Sequence, residues 1–230
     1  KAFTEGNQEK AEMLTRQNFN SEVSYDADGE TPFRFGSFTT MGEFYVETGL
    51  NIIGMSDYKR ILSLDSAMAV VQFKKDHVAY QRNYFISYPA NVMVMRFSAD
   101  QPGKQNLVFS YAPNPVSTGN MASDSNKGLV YSASLDNNGM KYVVRIQAET
   151  KGGTLSNADG KLTVKGADEV VFYITADTDY KPNFDPDFKE PKTYVGVNPE
   201  ETTKEWMNNA VSQGYTALFS QHYNDYAALF

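Results

Sequence analysis

His77 and His222 are the only imidazoles in this 230-residue chain, and cysteine is absent. Without cysteine there is no disulfide, no thiolate metal site and no thiol nucleophile. An imidazole could serve as general base to a serine, but no Gly-x-Ser-x-Gly elbow accompanies either histidine. Two isolated histidines also do not make a zinc site, and the His-Glu-x-x-His spacing does not occur. His77 follows Lys74-Lys75-Asp76 between two alternating runs, which reads as a solvated hairpin tip. His222 lies on the apolar face of an amphipathic helical segment, near Asp225. A packed, hydrogen-bonded ring is the plainer account of it.

Paired carboxylates are the other route to hydrolysis. Asp177 and Asp179 stand two apart at the end of a hydrophobic run, so both point the same way near a sheet rim. A sugar or Ca²⁺ could bind there, but closing the strand end by accepting loop hydrogen bonds is the simpler role. Asp185 and Asp187 flank Pro186 and could coordinate Ca²⁺, although their spacing is not that of an EF-hand loop. Tyr80, Tyr84, Phe85 and Tyr88 could form a platform for stacking sugars; alternating aromatics on a strand more commonly pack across strands. Gly152-Gly153 shows no phosphate-loop pattern. Residue by residue, no catalytic, cofactor-binding or metal-ligating role is assigned, and no cofactor is expected.

Those residues sit in a chain with 41% hydrophobic and 21% charged residues, enough to bury a core. The 15 Tyr and 15 Phe favour half-buried sheet surfaces over a helical bundle. A net charge of -7 without a basic stripe argues against nucleic acid as a partner. No apolar run approaches the roughly 20 residues of a membrane helix, and no signal peptide is present.

Asn7 can cap a short helix over Glu9–Arg16, in which Glu12 and Arg16 form an i,i+4 ion pair. From about residue 33 to 178 the hydrophobic period is two. Strands are predicted at 44–48, 67–74, 78–85, 91–97, 129–135, 142–148, 162–164 and 170–174. Asn137-Asn138-Gly139 is the strongest hairpin signal, and Asp159-Gly160 marks another turn. About ten to twelve short strands with turns between them predict an all-β antiparallel sandwich. After a Pro-punctuated loop from Tyr180, Asn198-Pro199-Glu200-Glu201 starts a helix that Gly214 ends. Thr203, Trp206, Met207, Ala210 and Val211 share one face of it; Phe219, His222, Tyr226 and Leu229 form the stripe of a second helix. That stripe reaches Phe230 unfinished, and the start at Lys1-Ala2-Phe3 is not a natural beginning, so the expectation is a piece of a longer protein.

Tyr58–Asp65, Tyr80–Pro89, Val92–Phe97, Thr178–Tyr180 and His222–Tyr226, taken together, resemble the N-terminal domain of glycoside hydrolase family 95, the α-L-fucosidase-like group. Tyr58-Lys59-Arg60-Ile61-Leu62-Ser63-Leu64-Asp65 resembles that family's Tyr, basic residues and Leu-Asp-Leu-like run. Tyr80-Gln81-Arg82-Asn83-Tyr84-Phe85-Ile86-Ser87-Tyr88-Pro89 matches its Tyr-x-Arg-x-x-Phe-x-Ser-x-Pro pattern throughout. Gly42-Glu43-Phe44, the strand Val92–Phe97, Thr178-Asp179-Tyr180 and His222-Tyr223-Asn224-Asp225-Tyr226 follow in the family's order. The resemblance implies a large sandwich of the supersandwich type over residues 21–197. It also implies a helical lead-in over 1–20 and a linker helix pair over 198–230, directed toward an α/α barrel outside the chain. An opening pair of strands, with an Asn-Glu-x-x-Trp-type motif, would precede Glu5. The implied parent is periplasmic or secreted and hydrolyses a terminal α-linked fucose or galactose of a glycan with inversion at the anomeric carbon. Its catalytic groups belong to the barrel, so none is carried onto this sequence. Arg82, Asp179, His222 and Asp225 match family motifs as structural polar contacts. A self-sufficient carbohydrate-binding module is the alternative reading.

Overall fold

The computed structural model describes residues 6–19, 24–25, 32–33, 39–136, 139–182 and 195–229. Residues 1–39 and 40–230 form two compact units. In the first, α1 (Gln8–Phe19) begins where the Asn7 side chain accepts a hydrogen bond from the Lys10 N–H at 3.0 Å. Two short strands, β1 (Ser24–Tyr25) and β2 (Pro32–Phe33), pair antiparallel. The Arg16 side chain of the expected Glu12 pair lies outside the described residues; Glu12 accepts instead from Gln8 at 3.0 Å.

The second unit holds twelve strands. These are β3 (Gly42–Glu47), β4 (Ser56–Ser63), β5 (Met68–Lys75), β6 (Val78–Ser87), β7 (Val92–Ala99) and β8 (Gln105–Pro113). They are followed by β9 (Ser117–Ser125), β10 (Gly128–Leu135), β11 (Lys141–Lys151), β12 (Thr154–Ala158), β13 (Lys161–Ala167) and β14 (Glu169–Thr178). An eight-stranded sheet runs β4-β5-β6-β7-β14-β11-β10-β9, and a four-stranded sheet runs β12-β13-β8-β3. The paired neighbours are antiparallel throughout, so the expected all-β sandwich is the observed architecture.

Alternation explains which side chains meet between the sheets. Val170, Phe172 and Ile174 of β14, Tyr142, Val144 and Ile146 of β11, and Phe109 of β8 share one core with Leu129 and Leu162. Phe172 stacks on Phe109 at 4.7 Å and meets Phe97 edge-on at 5.9 Å. Each buried aromatic ring removes a large apolar area from water, at about 25 cal/mol per Å². The turns follow their residues. Asp76 and His77 both have positive φ (50° and 62°), as do Asp159 (51°) and Gly160 (70°), which gives the tight connection that matches strand twist. Around the predicted Asn-Gly hairpin, β10 pairs with β11 from Ser134↔Lys141 onward. Asn137 and Asn138 themselves lie outside the described residues.

Among the described residues, four strands of the second unit fall outside the eight alternating runs: β4, β8, β9 and β12. In β9, Ser-Thr-Gly-Asn-Met-Ala-Ser-Asp-Ser has almost no apolar pattern; its pairing with β10 forms the strand. A strand at the edge of a sheet can be held by its ladder alone, without a buried side-chain row.

The outer face of the large sheet is covered by α2 (Pro199–Ala227). Asn198 caps it, accepting from the Glu200 N–H at 3.1 Å, with Pro199 in the first turn. Gly214, at φ 71° and ψ 170°, breaks α2 into two arms where the sequence predicts the end of a helix. Met207, Ala210 and Leu218 pack on Phe85, Val92, Val94, Val171 and Tyr173. In the second arm Phe219 packs on Phe85 and His222 is buried, as the stripe predicts; Leu218 joins them, whereas Leu229, beyond the end of α2, is 76% exposed, so the stripe is shorter than expected.

A charged contact fixes the start of α2. Arg145 of β11, with a side chain only 5% exposed, pairs with Asp124 of β9 at 2.5 Å and with Glu200 at 3.1 Å. Ser132 also donates to Glu200, and the Thr175 hydroxyl donates to the Thr203 carbonyl at 3.0 Å. Asp124 and Glu200 reach water, so they can rehydrate if the arginine is lost, but the guanidinium cannot. Asp124→Asn with Glu200→Gln is expected to cost about 3–5 kcal/mol in urea unfolding, more than Arg145→Met at about 1–2 kcal/mol.

Burial pushes the Tyr111 and Tyr173 phenols above their ordinary range; the neighbouring Tyr142 and Glu149 respectively add to it. An unfolded phenol releases its proton near pH 10. Above that pH the native state therefore binds more protons than the unfolded state, and stability falls as pH rises. Absorbance titration at 295 nm is expected to show these two tyrosines ionising only together with unfolding.

Candidate functional site

The structure disperses the sequence candidates. His77 is exposed on the β5–β6 turn, where its carbonyl accepts from Gln101 at 3.2 Å. His222 is 5% exposed and stacks on Phe85 at 4.9 Å. Its Nε2 lies 3.0 Å from the Ser66 carbonyl oxygen and 3.3 Å from that of Ala67. A carbonyl only accepts, so Nε2 carries the proton. The ring thus ties α2 to the β4–β5 turn, while Asp225 is exposed on the helix.

Asp177 and Asp179 also serve the backbone. Asp177 accepts from the Thr178 N–H at 2.8 Å, and buried Asp179 accepts from the Lys141 N–H at 2.9 Å. The Asp179 carbonyl accepts from the Gly196 N–H at 2.6 Å. Asp185 and Asp187 lie outside the described residues. No group of three or more His, Asp or Glu side chains suited to a metal occurs among the described residues.

The aromatics divide between two faces. Tyr80 stacks on Phe73 at 5.1 Å and Tyr84 meets Phe97 edge-on at 6.0 Å, both on the core side. Phe85 faces α2, with Tyr215 and Phe219 at 5.8 and 5.7 Å. Tyr88 alone of the four is open, at 81% exposure. They therefore form no common platform. Arg82 is held over Phe73 and Phe97, with its guanidinium carbon 5.1 and 5.7 Å from the ring centroids.

Sequence reading did not find a groove of about 500 Å³ over β4 to β7. Asp57, Lys59, Gln72, Lys74, Gln81 and Asp100 line it. A ladder of amides crosses its floor: Gln72 donates to Gln81, and Gln81 to Asn83, each at 3.0 Å. Asp57 pairs with Lys74 at 2.8 Å, which holds its carboxyl below the usual range. Asp100 accepts from the Ala79 N–H at 2.9 Å. A general acid needs its carboxyl proton retained, the opposite of the Asp57 environment. The groove offers hydrogen-bond donors and acceptors to a polar ligand. Its residues come from four consecutive strands, and the register between those strands assembles them.

His222→Phe keeps the stack on Phe85 but removes the donor to Ser66. It is expected to lower stability by about 1 kcal/mol in chemical denaturation.

With this geometry in place, comparison with known proteins is informative. Residues 1–183 match the family described as glycosyl hydrolase family 65, N-terminal domain. Probable alpha-fucosidase A of Aspergillus niger is 30% identical over 212 residues, covering 88% of this chain and 26% of that protein. Alpha-L-fucosidase 2 of Arabidopsis thaliana is 25% identical over 207 residues, covering 76% of this chain and 23% of that protein. A putative kojibiose phosphorylase from the human microbiome shares the fold, with a TM-score of 0.53 at 10% identity over 80% of this chain and 27% of that one. The chain spans about a quarter of the length of the curated relatives it matches. The chain belongs to the glycosyl hydrolase family 65 N-terminal domain family, and is thus a domain of a carbohydrate-active enzyme.

Proposed function

We propose that this domain is the noncatalytic N-terminal sandwich of a longer, secreted or periplasmic α-L-fucosidase of the family 95 type. The observation that carries the reading is the fucosidase relative that is 30% identical over 88% of this chain, a match that covers only 26% of that protein. The dispersed candidates support it: His77, His222, Asp177 and Asp179 each serve a turn or a backbone contact. In this reading an α/α barrel outside the 230 residues supplies a carboxylic acid and a water-activating group on opposite faces of the sugar. The sandwich packs against that barrel, and α2 leads toward it.

Two polypeptides test this: the 230-residue chain and the full natural gene product that contains it. Hydrolysis of an aryl α-L-fucoside is expected only from the longer one, with β-L-fucose as the first product seen by NMR. Hydrolysis by the 230-residue chain would overturn the noncatalytic role. A gene product no longer than this chain, or one inert on the fucoside, would overturn the fucosidase reading.

The amide-floored groove favours a second role, carbohydrate binding by the sandwich itself. Calorimetric titration with a fucosylated oligosaccharide is then expected to saturate, and Gln81→Ala to weaken binding about tenfold through the lost amide contacts. No heat of binding in the unsubstituted chain would sink this second role.

A further inference from the structure

Sheet edges in this domain are of two kinds. β9 and β12, at two of the four edges, carry mostly Ser, Thr, Asn, Asp and Gly. β3, at a third, places Glu43 and Glu47 between its apolar residues. Polar and charged edges of this sort resist further pairing. β4, at the end of the eight-stranded sheet, is different. All but the last of its eight residues are exposed, and three of them are large and apolar: Tyr58 (59%), Ile61 (45%) and Leu62 (67%). Leu64 just beyond it is 70% exposed and Ile86 on β6 is 68% exposed. With β5 on one side only, the other side of β4 presents a row of unpaired backbone groups among the described residues.

The register places two cations behind this edge. Leu62, Ala69 and Tyr84 form one cross-strand row; Arg60, Val71 and Arg82 form the next on the same face. Two strand spacings separate Arg60 from Arg82, about 10 Å at the backbone. Neither arginine has a carboxylate within ion-pair distance among the described residues, although the chain carries a net charge of -7. A second copy is a poor occupant. Antiparallel self-pairing about the middle of β4 would set Lys59 of each copy against Arg60 of the other, and like charges directly opposite destabilise a ladder.

We infer that β4 is completed by an extended, acidic strand from the part of the polypeptide outside these 230 residues. That strand pairs with the free backbone edge, sets apolar side chains against Tyr58 and Leu62, and directs a carboxylate toward Arg60 and Arg82. The inference rests on the longer polypeptide proposed above, of which this chain would be about a quarter by comparison with its relatives. It does not depend on which sugar that polypeptide cleaves.

Hydrogen–deuterium exchange with mass spectrometry, read on peptides covering residues 56–63, tests it in the 230-residue chain and in the full gene product. Exchange of the β4 amides is expected to slow on the order of 100-fold in the longer polypeptide. Arg60→Glu and Leu62→Asp, both at exposed positions, are expected to restore fast exchange there while leaving the melting temperature of the 230-residue chain unchanged. Equal exchange in the two polypeptides would overturn the inference. So would protection that grows with concentration of the 230-residue chain together with a dimer in sedimentation, since the occupant is then a second copy. Fucoside hydrolysis with an unprotected β4 rejects the strand alone, and a protected β4 without hydrolysis rejects the fucosidase alone.

Discussion

Everything in this domain depends on the burial of β14 and β11 on both faces. Val170, Phe172 and Ile174 point into the space between the sheets, while Val171, Tyr173 and Thr175 point under α2. A strand with one wet face can alternate apolar and polar residues; a strand covered on both sides must be apolar nearly throughout. The three-layer arrangement of small sheet, large sheet and helix pair is therefore a requirement of these central strands. Arg145 is the buried charge on β11, and its position explains its pairing: an arginine taken so far from water needs Asp124 and Glu200 beside it. The same contact that satisfies the charge sets the start of α2 on the sheet.

Much of the sandwich was legible because its physics is local. Tight turns need residues that accept positive φ, and Asp159-Gly160 supplies them in plain sight. The start of α2 was equally legible, since Asn198 and Pro199 act within one turn of themselves. β9 was not legible, because its residues bury almost nothing and its neighbour β10 determines its shape. The helix stripe was only partly legible. Phe219 and His222 meet the sheet as their spacing implies, but α2 ends at Ala227, so Leu229 remains in water.

The candidate sites show the complementary limit. His222 could be recognised as a packed ring from the apolar face it occupies, but its partners at Ser66 and Ala67 are more than 150 residues away. Asp177 and Asp179 looked like a pair from their spacing. Their hydrogen bonds run to separate backbone groups, at Thr178 and Lys141. The groove over β4 to β7 carried no local signal, because Gln72, Gln81 and Asn83 acquire meaning only when strand register lines up their amides. Membership of a carbohydrate-active family was legible through ordered motifs such as Tyr80–Pro89, whose residues divide between two faces of one strand and its turn.

The late position of α2 has a consequence for synthesis. Phe85, Val94, Val171 and Tyr173 form an apolar belt on the outer face of the sheet, and the residues that cover it, Met207 to Phe219, follow the end of the last strand at Thr178 by about thirty to forty positions. At about 5–20 residues per second, a ribosome needs several seconds to add them. During that interval the eight-stranded sheet, already formed, would show an oily outer surface to the surrounding medium. A chaperone that holds the nascent chain until α2 emerges would shield this belt, and stalling translation between residues 178 and 199 would leave it bare.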